Sequence, residues 1–347
     1  MSDLAARLDA IERIPLARLP TPIDELPRLG AHAGIARLLV KRDDQTGLAL
    51  GGTKARKLEY DLVEAVRQRA DLLVTIGGTQ SNHAAMTAAA ARRLGLEVKL
   101  VLGGPDFAAC EGNLRLDLLF GAEIRYLVDD DANDALAAAM AAWVDELRAA
   151  GRRPFALPIG GSTGLGALGA VRAMREIAGQ LAGTLGDGAL QVVTAVGSCG
   201  TFAGLWLGAR CFLPRARVVG VSVSRTAAAI VERTAELADE AAERLGLPAS
   251  VAEGAIECDD RDVGEYGVPT DAGQEAIELA ARLEGLVLDP VYTGKSMSGL
   301  LGLVRRGVLD PAVPTLFVHT GGLPIVFAFA SPPSEVAAIT RIPRRGR

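Results

Sequence analysis

The chain is poor in the residues from which metal centres, disulfide scaffolds and nucleic-acid surfaces are built. Its four cysteines, Cys110, Cys199, Cys211 and Cys258, are scattered without CxxC spacing, which argues against a disulfide framework or a zinc knuckle and fits a reducing cytoplasm. Three histidines, His32, His83 and His319, are too few and too dispersed for a metal site, so no metal is expected. Basic residues are outnumbered by acidic ones, 37 to 42, and a net charge of −5 argues against nucleic acid as a partner. One basic cluster, Arg341, Arg344, Arg345 and Arg347, reads as a solvated tail. No apolar run is long enough to span a membrane. The opening residues include Asp3, Asp9 and Glu12 and lack the apolar core of a secretory signal, so a cytoplasmic protein without a membrane partner is expected. Internal repeats and low-complexity linkers are also missing.

What is present is glycine and apolar side chain. With 40 glycines and 49 % apolar residues in 347, the chain can bury a large core and is long enough for two domains. Short apolar runs at Leu38–Lys41, Leu72–Ile76, Val98–Leu102, Ile124–Val128, Pro154–Pro158, Val192–Val196, Val218–Val221 and Thr315–Val318 read as strands. Several lack alternation, as strands covered on both faces should. Helical patterns lie between them, near 55–69, 81–94, 112–119, 132–149, 166–182, 201–211, 226–244, 272–284 and 296–305. This alternation predicts an α/β fold with mainly parallel, twisted sheets.

Gly51-Gly52-Thr53-Lys54 is a glycine-bounded turn that delivers one lysine to the start of a helix. A lysine is nucleophilic only when its neutral form is populated, and burial, nearby cations (Arg56, Lys57) and the positive end of a helix all favour that form. The plainer reading is a basic first turn facing solvent. Three further loops follow predicted strands, where parallel sheets place ligands. Gly197-Ser198-Cys199-Gly200-Thr201 opens a helix, and its backbone N–H groups suit a single phosphate monoester. It has neither the Gly-Lys-Ser/Thr of a nucleotide loop nor the GxGxxG of a dinucleotide site. Gln80, Ser81, Asn82 and His83 crowd polar side chains onto another helix entrance and suit a carboxylate, although Ser81 is also a natural N-cap. Gly160-Gly161-Ser162-Thr163-Gly164 matches GxSxG, and with Asp289 and His319 downstream it keeps a serine hydrolase open as an alternative. Tyr266 and Tyr292 lie beside glycines in loops, an unusual place for core tyrosines.

Taken together, GGTKARKLEY (51–60), GGTQSNH (77–83), GSCGT (197–201), DPVYTGK (289–295) and HTGG (319–322) resemble one family. It is the pyridoxal-phosphate-dependent 1-aminocyclopropane-1-carboxylate deaminase / D-cysteine desulfhydrase family, of the tryptophan-synthase-β-like fold type II. The likeness runs from about residue 15 to 330 and includes Leu19-Pro20-Thr21-Pro22 and Lys41-Arg42-Asp43-Asp44. It implies two domains, a large cofactor-binding one from residues 1–59 and 166–347 and a small inserted α/β one from 60–165. It also implies pyridoxal 5′-phosphate as cofactor, an amino acid as the small-molecule substrate, and a homodimer.

By the same resemblance, Lys54 joins the cofactor covalently and moves the Cα proton, and Gly197, Ser198, Cys199, Gly200 and Thr201 hold the phosphate. Asn82 meets the phenolic oxygen and Thr320 the pyridine nitrogen. Ser81 and His83 lie near the substrate carboxylate, and Tyr266 and Tyr292 near the reacting carbon. Cyclopropane deaminases resemble DPVYEGK and HLGG, so Thr293 and Thr320 place this chain in the desulfhydrase branch. β-Elimination to pyruvate and ammonia is expected, with D-cysteine as first choice. L-Cysteate sulfo-lyase, the cyclopropane deaminase and a non-catalytic pyridoxal-phosphate carrier are the alternatives. Two positions depart from the pattern: Thr53 stands where GGNK has Asn, and Cys199 replaces a smaller residue in the phosphate loop. Ala84-Ala85-Met86 is expected to alter the pocket wall.

Overall fold

Leucines, valines and isoleucines in unbroken runs need cover on both faces, and the computed structural model shows how they obtain it. It describes residues 2–107, 109–185, 188–248, 256–261 and 264–329; the C-terminal arginine cluster lies outside them. Two sheets form. The strands β3 (Leu72–Gly78), β4 (Glu97–Gly104), β5 (Glu123–Val128) and β6 (Pro154–Ala156) make a parallel four-stranded sheet in the order β5-β4-β3-β6. The second sheet has six strands, β1 (Ile23–Glu25), β2 (Leu38–Lys41), β10 (Thr315–Val318), β7 (Leu190–Val196), β8 (Ala216–Ser222) and β9 (Glu257–Asp259), in that order. Its one antiparallel pair is β1 with β2.

Side chains alternate between the two covers of each sheet, as strand geometry requires. In the smaller sheet Leu72, Val74 and Ile76 pack with Trp143 and Leu147 of α6 (Asn133–Ala149). Leu73 and Leu100 point the other way, to α3 (Lys54–Arg67) and α4 (Asn82–Arg93). In the larger sheet Val192 and Val196 meet α7 (Gly164–Gln180), α8 (Gly200–Phe212) and α9 (Ala227–Arg244). Val193, Val219 and Phe317 face α2 (Pro27–Ala33), α10 (Asp271–Glu284) and α11 (Thr293–Arg305). The apolar area hidden on both faces is the main stabilising term.

α3 bridges the two sheets. Its Leu58 and Leu62 enter the core of the smaller sheet, while Tyr60 enters that of the larger. Gly169 permits the closest approach: a Cβ there would stand 2.3 Å from the Arg56 carbonyl oxygen. On the same helix Arg56 is fully buried, bonded to Asp43 and Glu176, and Lys41 joins Glu176, Gln180 and the Thr21 carbonyl. This ionic network ties the lysine-bearing helix to both the strand β2 and helix α7.

All eight strands expected from the sequence form, and β1 and β9 are additional. Both extra strands are three residues long and lie at sheet edges, where pairing rather than composition defines a strand. The structure also contains α1 (Ser2–Ala10), α2, α5 (Gly112–Leu119) and α12 (Leu323–Val326). Of these, only α5 is expected from the sequence.

Candidate active site

The carboxyl ends of β3, β7, β8 and β10 surround a cavity of about 300 Å³, the position parallel sheets reserve for ligands. Lys54 enters it from the first turn of α3. The turn before it is held by Gly52 pairing with Gly321, and by the Thr53 N–H donating to the Thr320 carbonyl at 3.0 Å. Only glycine fits at Gly51, where φ is 86° and a Cβ would lie 1.7 Å from the Asp44 carbonyl oxygen. Burial pulls the Lys54 amine down to about 8, with the Asp289 carboxylate opposing. Arg56 does not contribute as its sequence position implies, because Asp43 and Glu176 hold its guanidinium at 2.8–2.9 Å, away from the cavity.

Gly197, Ser198, Cys199 and Thr201 line the cavity at the N-terminus of α8, whose first-turn N–H groups have no partner within the helix. Gly200 faces away, towards Ser162 Oγ and Lys57 Nζ. Cys199 adopts the left-handed conformation, φ 67° and ψ −25°, which non-glycine residues rarely accept. Lys57, read from sequence only as a neighbouring cation, is buried behind this loop and donates to Ser162 Oγ at 3.1 Å. Ser162 in turn donates to Ser198 Oγ at 2.8 Å. Burial, followed by the nearby Lys54 ammonium, pushes the Lys57 amine well below the usual lysine range.

At the entrance to α4, Ser81 caps the helix by accepting from the Ala84 N–H at 3.2 Å and also lines the cavity. Asn82 and His83 line it too. The His83 imidazole is committed inwards. Thr75 Oγ1 donates to the Leu157 carbonyl, so His83 Nε2–H must donate to Thr75 Oγ1 at 2.9 Å. Burial moves this imidazole well below its usual range, so it is neutral. Ala84, Ala85 and Met86, expected in the pocket wall, are instead buried residues of α4 that do not line the cavity.

Across the cavity, the Tyr266 and Tyr292 hydroxyls share a hydrogen bond of 2.6 Å. Asp289 fixes this arrangement. Its carboxylate accepts from the N–H groups of Val291, Tyr292 and Thr293 and from Thr293 Oγ1 at 2.7–2.9 Å. Thr293 is therefore turned into the protein and does not line the cavity. Thr320, at the end of β10, does.

The hydrolase constellation is not assembled. Ser162 binds Lys57 and Ser198, and its φ and ψ of −94° and 90° are ordinary extended values rather than a strained elbow. His319 donates from Nε2 to the Val287 carbonyl and accepts the Gly321 N–H on Nδ1. Asp289 caps α11. None of the three touches another.

Residues 14–321 match the family described as pyridoxal-phosphate dependent enzyme. The chain belongs to that family. A Klebsiella pneumoniae D-cysteine desulfhydrase is 41 % identical over 328 residues, covering 93 % of this chain and 97 % of the relative. A Pyrococcus abyssi protein named provisionally as a 1-aminocyclopropane-1-carboxylate deaminase is 40 % identical over 324 residues, covering 93 % and 96 %. The crystal structure of an ACC deaminase homologue superposes with a TM-score of 0.86 at 38 % identity, covering 94 % of this chain and 97 % of that one. The fold is that of the type II pyridoxal-phosphate enzymes.

The cavity fits the cofactor of that family by its own chemistry. Thr201 Oγ1 is buried and lacks a partner among the described residues, so the helix entrance offers an unpaired hydroxyl to a ligand. Burial raises the Cys199 thiol while Arg225, Lys57 and Arg233 act on it as cations, so the loop sits in a positive field suited to a phosphate. An amine depressed to about 8 stands in the same cavity. Lys57 and Asp289 lie inside the GGTKARKLEY and DPVYTGK motifs without a role read for them in this site, and Ser162 lies outside the motifs of that family.

Proposed function

We propose that this pyridoxal-phosphate lyase is a D-cysteine desulfhydrase, converting D-cysteine and water to pyruvate, ammonia and hydrogen sulfide. The observation that carries the reading is one cavity that holds the depressed Lys54 amine, the Tyr266–Tyr292 hydroxyl pair and the helix-entrance anion cradle together. The chemistry supplied by bound pyridoxal phosphate is capture of the amino group and withdrawal of electrons from Cα. Lys54 takes the Cα proton, for which an amine of pKa about 8 is well matched near neutral pH. Gly197–Thr201, with Lys57 behind them, would hold the phosphate, and Thr320 would meet the pyridine nitrogen. Ser81 and Asn82 would orient the substrate at the α4 entrance, Asn82 would also meet the cofactor's phenolic oxygen, and His83 supports that turn through Thr75. Tyr292, fixed by Asp289 and paired with Tyr266, would deliver a proton to the departing sulfur.

Ring opening of the cyclopropane amino acid is disfavoured because Thr293 is bonded to Asp289 instead of offering an acid to the cavity. A second reading, loss of sulfite from L-cysteate, draws support from Arg225, a cation in the cavity wall suited to a sulfonate. A screen of D- and L-cysteine, L-cysteate, β-chloroalanine, D-serine and the cyclopropane amino acid separates these. Sulfide and pyruvate from D-cysteine are expected. Sulfite from cysteate with an inert D-cysteine selects the second reading, and no pyruvate from any of them makes the protein a non-catalytic carrier.

The proposal extends to a cytoplasmic enzyme, in keeping with four free thiols, and to a homodimer, which rests on the family resemblance and is read by sedimentation. It also includes a large domain from 1–59 and 166–347 and a small one from 60–165. The membership of the two sheets supports that division.

A further inference from the structure

Asn82 lines the cavity, and an amide there can offer either a donor or an acceptor. Its orientation follows from a chain of bonds that starts at backbone groups. Gln80 Oε1 accepts the Asn113 N–H at 2.8 Å, and Gln80 Nε2 donates to the Glu111 carbonyl at 3.2 Å. These bonds stitch the first turn of α5 to the turn before α4. Asn113 is 1 % exposed, and its Nδ2 donates to the Gln80 carbonyl at 3.0 Å. A carbonyl oxygen can only accept, so the Asn113 amide cannot be reversed without losing that bond. The same Nδ2 donates its second hydrogen to Asn82 Oδ1 at 2.7 Å. Asn82 therefore keeps its oxygen towards α5 and its NH₂ free for the cavity.

We propose that Asn113, a residue outside the cavity wall, is the positioning residue that holds Asn82 as a hydrogen-bond donor to the ionised phenolic oxygen of bound pyridoxal phosphate. The inference rests on the cofactor placement proposed above. A neutral amide held donor-first favours the ionised oxygen, whereas the same amide reversed would set a carbonyl against it.

The Asn113→Asp variant tests this without changing side-chain size. A carboxylate cannot donate to Asn82 Oδ1; it accepts from Asn82 Nδ2 and turns the amide over. Wild type, Asn113→Asp, Asn82→Ala and the double variant are loaded with pyridoxal 5′-phosphate, and the visible absorbance of each holoenzyme is titrated with pH. The midpoint for protonation of the cofactor chromophore is expected to rise by about one pH unit in Asn113→Asp, the size of one lost charge-assisted bond. It should rise in Asn82→Ala as well, and the double variant should show no increment beyond Asn82→Ala. Asn113→Ala, read in the same way, serves if the aspartate variant fails to fold. An unmoved midpoint in the Asn113 variants, or a shift that persists when Asn82 is already alanine, overturns the assignment while leaving the desulfhydrase reading intact. A wild-type protein that takes up no cofactor overturns both.

Discussion

The five lysines of this chain make its central claim directly measurable. Lys41, Lys57, Lys99 and Lys295 are no more than 7 % exposed, whereas Lys54 opens onto the cavity. An amine reagent such as trinitrobenzenesulfonate, applied to apoenzyme and followed by peptide mapping, should therefore label Lys54 ahead of the other lysines. Labelling follows the neutral amine. With a pKa of about 8 in place of 10.5, the neutral fraction at pH 7 is roughly 9 % instead of roughly 0.03 %, a gain of roughly 300-fold. The sign is that of a buried base: folding disfavours its charged form, so the proton leaves between about pH 7 and 9 rather than above 10. The labelling rate should climb tenfold per unit up to about pH 8 and then level off. Asp289→Asn removes the carboxylate that opposes the depression and should move the midpoint lower still. Bound cofactor should protect the site. A midpoint near 10, or equal labelling of Lys57, would refute the argument that burial activates this amine.

Further outcomes are expected at Arg56, Cys199, Tyr292 and Lys54. Arg56→Met leaves Asp43 charged and buried, and should lower stability by about 3–5 kcal/mol in denaturant titration, with partial recovery in Arg56→Met/Asp43→Asn; a worse double variant contradicts the pairing. The pH dependence follows from Asp43. Arg56 helps hold its carboxyl below the usual value, so the difference between wild type and Arg56→Met should be full at neutral pH and shrink as acid protonates the group in the variant. Cys199→Gly should be about 1 kcal/mol more stable than Cys199→Ala in the same titration, because alanine keeps the left-handed strain at φ 67°. Tyr292→Phe should lower kcat/KM by about 10²-fold or more while cofactor affinity changes little, and Lys54→Ala should abolish elimination; equal loss of bound cofactor in both variants contradicts the role given to Tyr292.

The sheets were legible because their strands are runs such as Leu72–Ile76 that cannot be solvated. The edge strands Ile23–Glu25 and Glu257–Asp259 were not, since their composition is polar and their partners lie elsewhere in the chain. In the cavity, Lys54, Ser81 and Tyr292 announced themselves through glycine turns and helix entrances. Arg56 misled because charge on a helix is ordinarily solvated, and its partner Glu176 is 120 residues away. Lys57 and Ser162 meet across 105 residues, and Ser162 carries a pattern that points to a different chemistry. Asn113 carries no sequence signal: its meaning lies in which atom of Asn82 it faces.

Strand order carries a lesson about assembly. β10, the last of the described strands in chain order, lies between β2 and β7, so the early β1–β2 pair and the later block of the larger sheet have no shared edge until residues 315–318 emerge from the ribosome. The smaller sheet draws all its strands from 72–156 and can close first. Gly321, which clasps the turn before Lys54, follows directly behind that last strand. A nascent or clipped chain lacking these residues thus has no finished pocket, and the reactive amine acquires its setting only once residues 315–321 are in place.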